Sequence, residues 1–393
     1  MKHRSVLGLV VLGLLIALCP QITRTHAAGM AARVVAAPKP GQPIPGNYKA
    51  PAPAFNPVYL EPGAQASCQK VAYRASARSG GPTRAARARG ERPLIAYMPP
   101  ATEFNYYIAI QQGVKREAAR LGARTFMLAP QSGADIAGQV RMLQDVLTRK
   151  VDAIILHAHD EQAVAPLVKQ AIARGIAVIL VNSDILGFPT PVNGVVGYSE
   201  HGGTFQEGRY IVTIFHGHAR VGVLQGLPGY DSTQRINGYL DAFKTYPGMK
   251  IVAQLPTEWN VETGDKAAMD MLQAHPEINV LVAANDYIAD GATQAAQALG
   301  HTKVAIFGND GDPSAFVNIA GKHIVATVNT TPVIMGVVAL HVTMDCLNKR
   351  YPGGWTQTPV TIVDHANVLQ YLCHTENLYP KPSSADLKAC RAR

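Results

Sequence analysis

From residue 94 onward, apolar residues recur in two rhythms. Short uninterrupted runs at 94–98, 125–129, 153–156 and 177–181 read as strands, because a strand buried on both faces has no reason to alternate with polar residues. Between them, 106–121, 136–147 and 164–173 space their apolar residues three and four apart, as Ile110, Val114, Ala118 and Leu121 do. That spacing predicts helices with one buried face, and Gly122 and Gly175 are helix stops. The alternation then restarts, with helices over 205–215, 234–246, 266–274, 288–299 and 333–348. The strands between them are 221–224, 251–255, 280–283, 304–307 and 324–328. Strands alternating with helices predict parallel sheets covered on both faces. Two such series predict an α/β fold of two Rossmann-like lobes. Ligands of such sheets collect beyond the carboxyl ends of the strands, so a cleft between the lobes is the expected site.

Ahead of residue 93 neither rhythm is present. Lys2, His3 and Arg4 precede an apolar run at 6–18 and a small-residue stretch ending at Ala27 and Ala28. This is the order of a cleaved secretory signal over 1–27, and the run is shorter than the ~20 residues of a membrane span. Residues 28–92 hold nine prolines and no apolar period, so a basic, mostly disordered leader is expected there. The rest divides into a first lobe of 93–196 plus 331–350, a second lobe of 197–330 plus 351–372, and a tail of 373–393. Export implies the periplasm, an oxidising compartment. Cys68, Cys346, Cys373 and Cys390 then permit three pairings. Cys373–Cys390 is the favoured bridge, since both lie in the tail and close a short loop.

The net charge of +9 invites a nucleic-acid reading, but the excess lies in front. Residues 28–92 carry ten Lys/Arg against Glu61 and Glu91, whereas 93–393 carry 23 Lys/Arg against 25 Asp/Glu. A nucleic-acid-binding domain carries its basic patch on the folded part, so no nucleic-acid partner is expected. The 47% hydrophobic content is that of a globular chain.

The strand ends carry the chemistry. Phe104, Asn105, Tyr106 and Tyr107 follow the first strand, and Asn182, Ser183 and Asp184 follow the fourth. In the second series come Arg235, Trp259, Asn285 and Asp286, then Asn309, Asp310 and Asp312. Amides and carboxylates bond hydroxyl groups, and aromatic faces pack on C–H surfaces. Together they suit a neutral polyhydroxylated ligand, although each alone could equally cap a helix or shape a turn. No enzyme signature competes. Residues 197–202 are one residue too long for a nucleophile elbow, and neither a P-loop nor a G-x-G-x-x-G follows a strand. His157-Ala158-His159-Asp160 and His216-Gly217-His218 lack a third ligand at recognisable spacing. A binding protein without catalysis, metal or cofactor is therefore expected. A repressor of the same fold would need a helix-turn-helix ahead of the body.

With these residues in place, the body from 93 to about 370 resembles the type I periplasmic binding proteins. It is similar to their ribose-binding-like subgroup of sugar ABC-transport receptors. The matching stretches are VDAIILHAHDEQAVAPLVKQAIARGIAVILVN, LQGLPGYDSTQRINGYLDAF, LPTEWNVETG, AANDYIADGATQAAQALG and VAIFGNDGDPSAFVNIAGKHIVATV. The resemblance implies two lobes joined by three crossovers, near Gly197, Thr330 and 351–358, and a monomeric receptor that closes on a sugar-like molecule and delivers it to an inner-membrane ABC permease. Its alternative is a ligand sensor acting on a membrane histidine kinase. The resemblance also implies ligand contacts. Arg235 resembles the cleft arginine, Trp259 the stacking aromatic, and Asn285 and Asp310 the amide and carboxylate ligands. Tyr106 and Tyr107 replace an aromatic pair, and Asn182 stands where relatives carry a cleft aspartate or asparagine. Thr330 falls at the position of a cleft glutamine. Ser183 follows where ribose binders carry arginine, and 99–105 lacks the usual asparagine–proline arrangement. The departures cluster in the first lobe, so the expected ligand is sugar-like but not ribose itself.

Overall fold

The computed structural model describes residues 60–73 and 92–392. The expected signal segment, and the leader over 28–59 and 74–91, lie outside the described residues. The first series runs β1 (Leu94–Met98), α1 (Asn105–Leu121), β2 (Arg124–Met127), α2 (Ile136–Thr148), β3 (Ala153–Leu156), α3 (Glu161–Ala173), β4 (Ala177–Val181) and β5 (Gly194–Gly197). The second runs α4 (Glu200–Ile214), β6 (His218–Gln225), α5 (Tyr230–Phe243), β7 (Gly248–Pro256), α6 (Val261–Ala274), β8 (Val280–Ala283), α7 (Asp286–Ala298), β9 (Ala305–Asp310), α8 (Pro313–Ala320) and β10 (Ala326–Asn329). The chain then returns through α9 (Pro332–Leu347) and β11 (Trp355–Gln357) to the first sheet, and through β12 (Thr361–Asp364) and α10 (Leu369–Leu372) to the second.

Each sheet has six strands, ordered β11-β5-β4-β3-β1-β2 and β12-β10-β9-β8-β6-β7. Every pairing is parallel except β10 with β12. Both sheets repeat the doubly wound order in which chain direction reverses beside the first strand, the place where a crevice opens at the strand carboxyl ends. The central strands bury every residue, as at Ala153–Leu156 and Ala177–Val181, which is why they read as unbroken apolar runs. Helix α9 clamps the first lobe. It crosses α1 so closely that a Cβ at Gly113 would lie 1.9 Å from Val333 O, and one at Gly336 2.0 Å from Ile110 O.

Two sequence expectations are corrected. Residues 351–358 were assigned to the second lobe, yet β11 pairs with β5 in register Trp355 to Val195. Its three residues fill the free edge beside β5, so the third crossover lies between Gln357 and Thr361. The second correction concerns 60–73, expected to belong to a disordered leader. Leu60, Ala64, Ala66, Cys68 and Val71 are buried there. Gln65 donates to Asn193 O at 3.1 Å and accepts from Gly354 N at 2.7 Å. Cys68 is disulfide-bonded to Cys346 on α9. Small buried residues without a period leave no pattern to read, so the strap is visible only in three dimensions. The Cys373–Cys390 bridge is present as expected, and Leu378 and Leu387 of the tail pack on the second lobe's core. Among the described residues no helix is long and apolar enough to cross a membrane.

Candidate functional site

A narrow cleft lies between the carboxyl ends of the two sheets, about 430 Å³ when the space open to solvent is counted. Pro100, Phe104, Tyr106, Tyr107 and His159 line it from the first lobe. Asp231, Arg235, Trp259, Asn285, Tyr287 and Asp310 line it from the second.

The second lobe's side is a connected polar network. Arg235 of α5 is buried, and its Nη1 donates to Asp310 Oδ1 and to Ala284 O, each at 3.0 Å. Its guanidinium lies 5.3 Å from the Trp259 ring centroid and 5.8 Å from that of Tyr198, within cation–π range. Asp310 ends β9, and its turn is tied down by Asp286, whose carboxylate accepts from Gly311 N and Asp312 N, both at 2.8 Å. Trp259 reaches the cleft because Gly226 leaves room: a Cβ there would meet the indole at 2.2 Å. Asn285 both caps a helix and faces the cleft. Its Oδ1 accepts from Ile288 N at 2.9 Å while its Nδ2 donates to Trp259 O at 3.0 Å. Asn182, Trp259 and Asp310 all hold positive φ, at 55°, 66° and 133°. Such backbone costs roughly 1–3 kcal/mol per residue and gathers at ligand sites.

Tyr106 anchors the other side. Its hydroxyl donates to Asn182 Oδ1 at 2.8 Å and lies 2.8 Å from Thr330 Oγ1, whose own proton goes to Asp310 O at 2.9 Å. Asn182 and Thr330 are wholly buried. Of the eight sequence-picked residues, six therefore line the cleft, and these two stand behind Tyr106 and orient it. Tyr107 packs its ring 5.3 Å from that of His157.

Several contacts join the lobes directly. His157 Nε2 lies 3.1 Å from Asp231 Oδ2. Tyr230 donates to Asp184 Oδ1 at 3.0 Å, Asn105 N donates to the Tyr287 hydroxyl at 3.1 Å, and the Phe104 and Tyr287 rings lie 6.0 Å apart. The cleft is in a closed form. Burial pushes the Asp310 carboxyl up to about 6, even against the opposing charge of Arg235. Burial also raises Tyr106 and Tyr107 well above the usual phenol range, so both stay neutral hydroxyls. The cleft thus presents carboxylate, amide, guanidinium and hydroxyl groups between aromatic faces.

Asp231, Tyr287 and His159 were not among the residues picked from sequence. Asp231 and Tyr287 sit in the first turns of α5 and α7, where an acid or aromatic reads as helix-start composition. His159 was weighed only as half of a metal pair, and among the described residues no three His, Cys, Asp or Glu side chains could hold a metal ion.

Residues 95–350, more than half of the chain, match the profile of the periplasmic binding protein domain. The D-ribose/D-allose-binding protein of Pseudomonas aeruginosa is 26% identical over 285 residues, covering 70% of this chain and 89% of its own. The D-allose-binding periplasmic protein of Escherichia coli is 27% identical over 256 residues, covering 61% and 80%. Among solved structures, an ABC-transporter periplasmic solute-binding protein of Actinobacillus succinogenes with bound D-allose superposes with a TM-score of 0.68. It is 26% identical and covers 71% of this chain and all of its own.

Proposed function

Given that the chain belongs to the periplasmic binding protein family, we propose that it is an extracytoplasmic receptor that closes on a sugar-like molecule and delivers it to an ABC-transporter permease. The carrying observation is the pairing of polar and aromatic groups at the mouths of both sheets. Arg235, Asp310 and Asn285 supply hydroxyl-bonding groups, while Trp259, Tyr106 and Tyr107 supply faces for ring C–H surfaces. The relatives named for D-ribose and D-allose support the same ligand class. Closure follows because only the closed form contacts ligand from two lobes at once. The chemistry offered is recognition of hydroxyl groups, which a binding protein uses without transforming its ligand.

A thermal-shift panel of pentoses, hexoses and inositols, followed by calorimetry, tests this reading. At least one should stabilise the protein, by about 2.7 kcal/mol at a hundredfold excess over its Kd. A panel that leaves the melting temperature unmoved overturns the sugar-like ligand. Delivery is tested by uptake of the bound sugar in cells lacking this chain. Undiminished uptake with loss of a ligand-dependent kinase response would replace delivery by sensing.

A further inference from the structure

We propose that His157 and Asp231 form a proton-loaded clasp between the lobes, so that closure takes up one proton and ligand affinity falls as pH rises. The clasp rests on the reading of the cleft as a closing binding site, though not on which ligand fills it.

His157 directly follows β3 on the first lobe, and Asp231 stands in the first turn of α5 on the second. The His157 ring is buried and both its nitrogens are engaged. Nδ1 lies 3.0 Å from Val181 O, and Nε2 lies 3.1 Å from Asp231 Oδ2. Both partners are acceptors. A neutral imidazole has one ring proton, so in either tautomer one nitrogen lone pair would face an oxygen lone pair. A second proton, on the ring or on Asp231, satisfies both contacts. The Val181 contact lies within the first lobe and survives opening, whereas the Asp231 contact exists only when the lobes meet. Gln139 fixes the strand end by donating to His157 O at 2.8 Å, so the ring is held in place for Asp231 to arrive.

The surrounding charges differ in sign: carboxyl groups favour the proton, while Arg235 and His159 oppose it. From the first turn of α3 Glu161 faces the pair, from the segment after β4 comes Asp184, and His159 stands beside it. From α1 comes the neutral Tyr107 hydroxyl, from α5 Arg235, and from α4 the buried Glu200. Burial alone would depress His157, but the charge and hydrogen bond of Asp231 outweigh it and hold the ring above its ordinary value. In the open form Nε2 meets water, and the ring returns toward about 6.5. The stabilisation of the closed form is therefore complete below that value and is lost as pH rises through the higher closed-form value. Burial pushes Glu161 up to about 7, so it titrates in the same window and with the same sign.

The test uses the full chain between pH 6.5 and 8.5, above the titration of Asp310. Interlobe distance is followed by spin labels on exposed helix positions, without ligand, and affinity for D-allose and D-ribose is followed by calorimetry. The closed population should grow as pH falls, and affinity should strengthen by up to about tenfold per pH unit. In a Glu161→Gln background, which removes the second group titrating in this window, His157→Asn should flatten both profiles to less than about twofold, whereas Glu161→Gln alone should leave a clear slope. Distances and affinities that ignore pH, or a slope unchanged in His157→Asn, overturn the clasp. If distances respond to pH but neither probe nor any panel sugar binds, the clasp stands and the sugar reading falls.

Discussion

Asp310 occupies a costly position: it is buried, has positive φ and is bonded to a buried arginine. Such a group is retained where its charge is used, and a hydrogen bond from a ligand hydroxyl to a carboxylate is worth roughly 1.5–3 kcal/mol. Asp310→Ala should weaken every accepted ligand by about 10- to 150-fold in calorimetry, and an unchanged affinity would remove it from the site. The two tryptophans should report differently. Trp259 lies in the cleft, so Trp259→Phe should remove most of the fluorescence change on binding. Trp355 donates to Gly197 O at 3.1 Å, at the first crossover, so Trp355→Phe should remove a smaller part that tracks hinge motion. A response lost wholly with Trp355 would take Trp259 out of the ligand's reach. Residues at or just beyond a strand end, such as Asp310 and Asn285, are legible because the fold dictates where strand ends point. Asn182 and Thr330 are also at strand ends but one layer deeper, since the Tyr106 ring comes between them and the opening. That depth depends on a rotamer, which no spacing encodes.

Elements differ in how plainly they announce themselves. The central strands β1, β3, β4 and β8 match their apolar runs residue for residue, because full burial leaves nothing polar to blur the edges. Helices begin earlier than their apolar spacing suggests. α6 starts at Val261 and α4 at Glu200, capped by Asn260 and Ser199, since a first turn capped by a side chain carries few core residues. β5, β11 and α8 were not anticipated. β11 is a short edge strand, β5 is a short inner strand between β11 and β4, and α8 follows a polar turn, so pairing partners rather than composition decide them. The α1–α9 crossing offers a sharp test. Alanine at Gly336 gains about 1 kcal/mol in helix propensity. It must also displace backbone 2.0 Å away, and overpacking costs about 1–3 kcal/mol. Gly336→Ala should lower the melting temperature, and a rise would show that the helices part freely.

At the scale of the molecule, residues 60–73 belong to the first lobe and not to a passive leader. A chain beginning at residue 93 leaves Cys346 unpaired, removing a cross-link between residues 278 apart in sequence. In the chain-entropy picture so long a loop is worth about 5.6 kcal/mol. None of 60–73 lines the cleft. Starting at 93 should therefore depress thermal stability well below that of a chain starting at 60, while affinity stays within about threefold. Equal melting temperatures would make the strap ornamental. The two covalent bridges share one property: Cys68–Cys346 closes within the first lobe, and Cys373–Cys390 lies at the second lobe's tail. Neither spans the crossovers. Oxidation hardens two shells and leaves the axis between them soft, so the molecule approaches a pair of rigid jaws with very few moving coordinates. In the receptor proposed above, thermal motion would then be channelled into opening and shutting instead of being spread through the body, and a weakly bound small molecule would decide which of the two positions prevails.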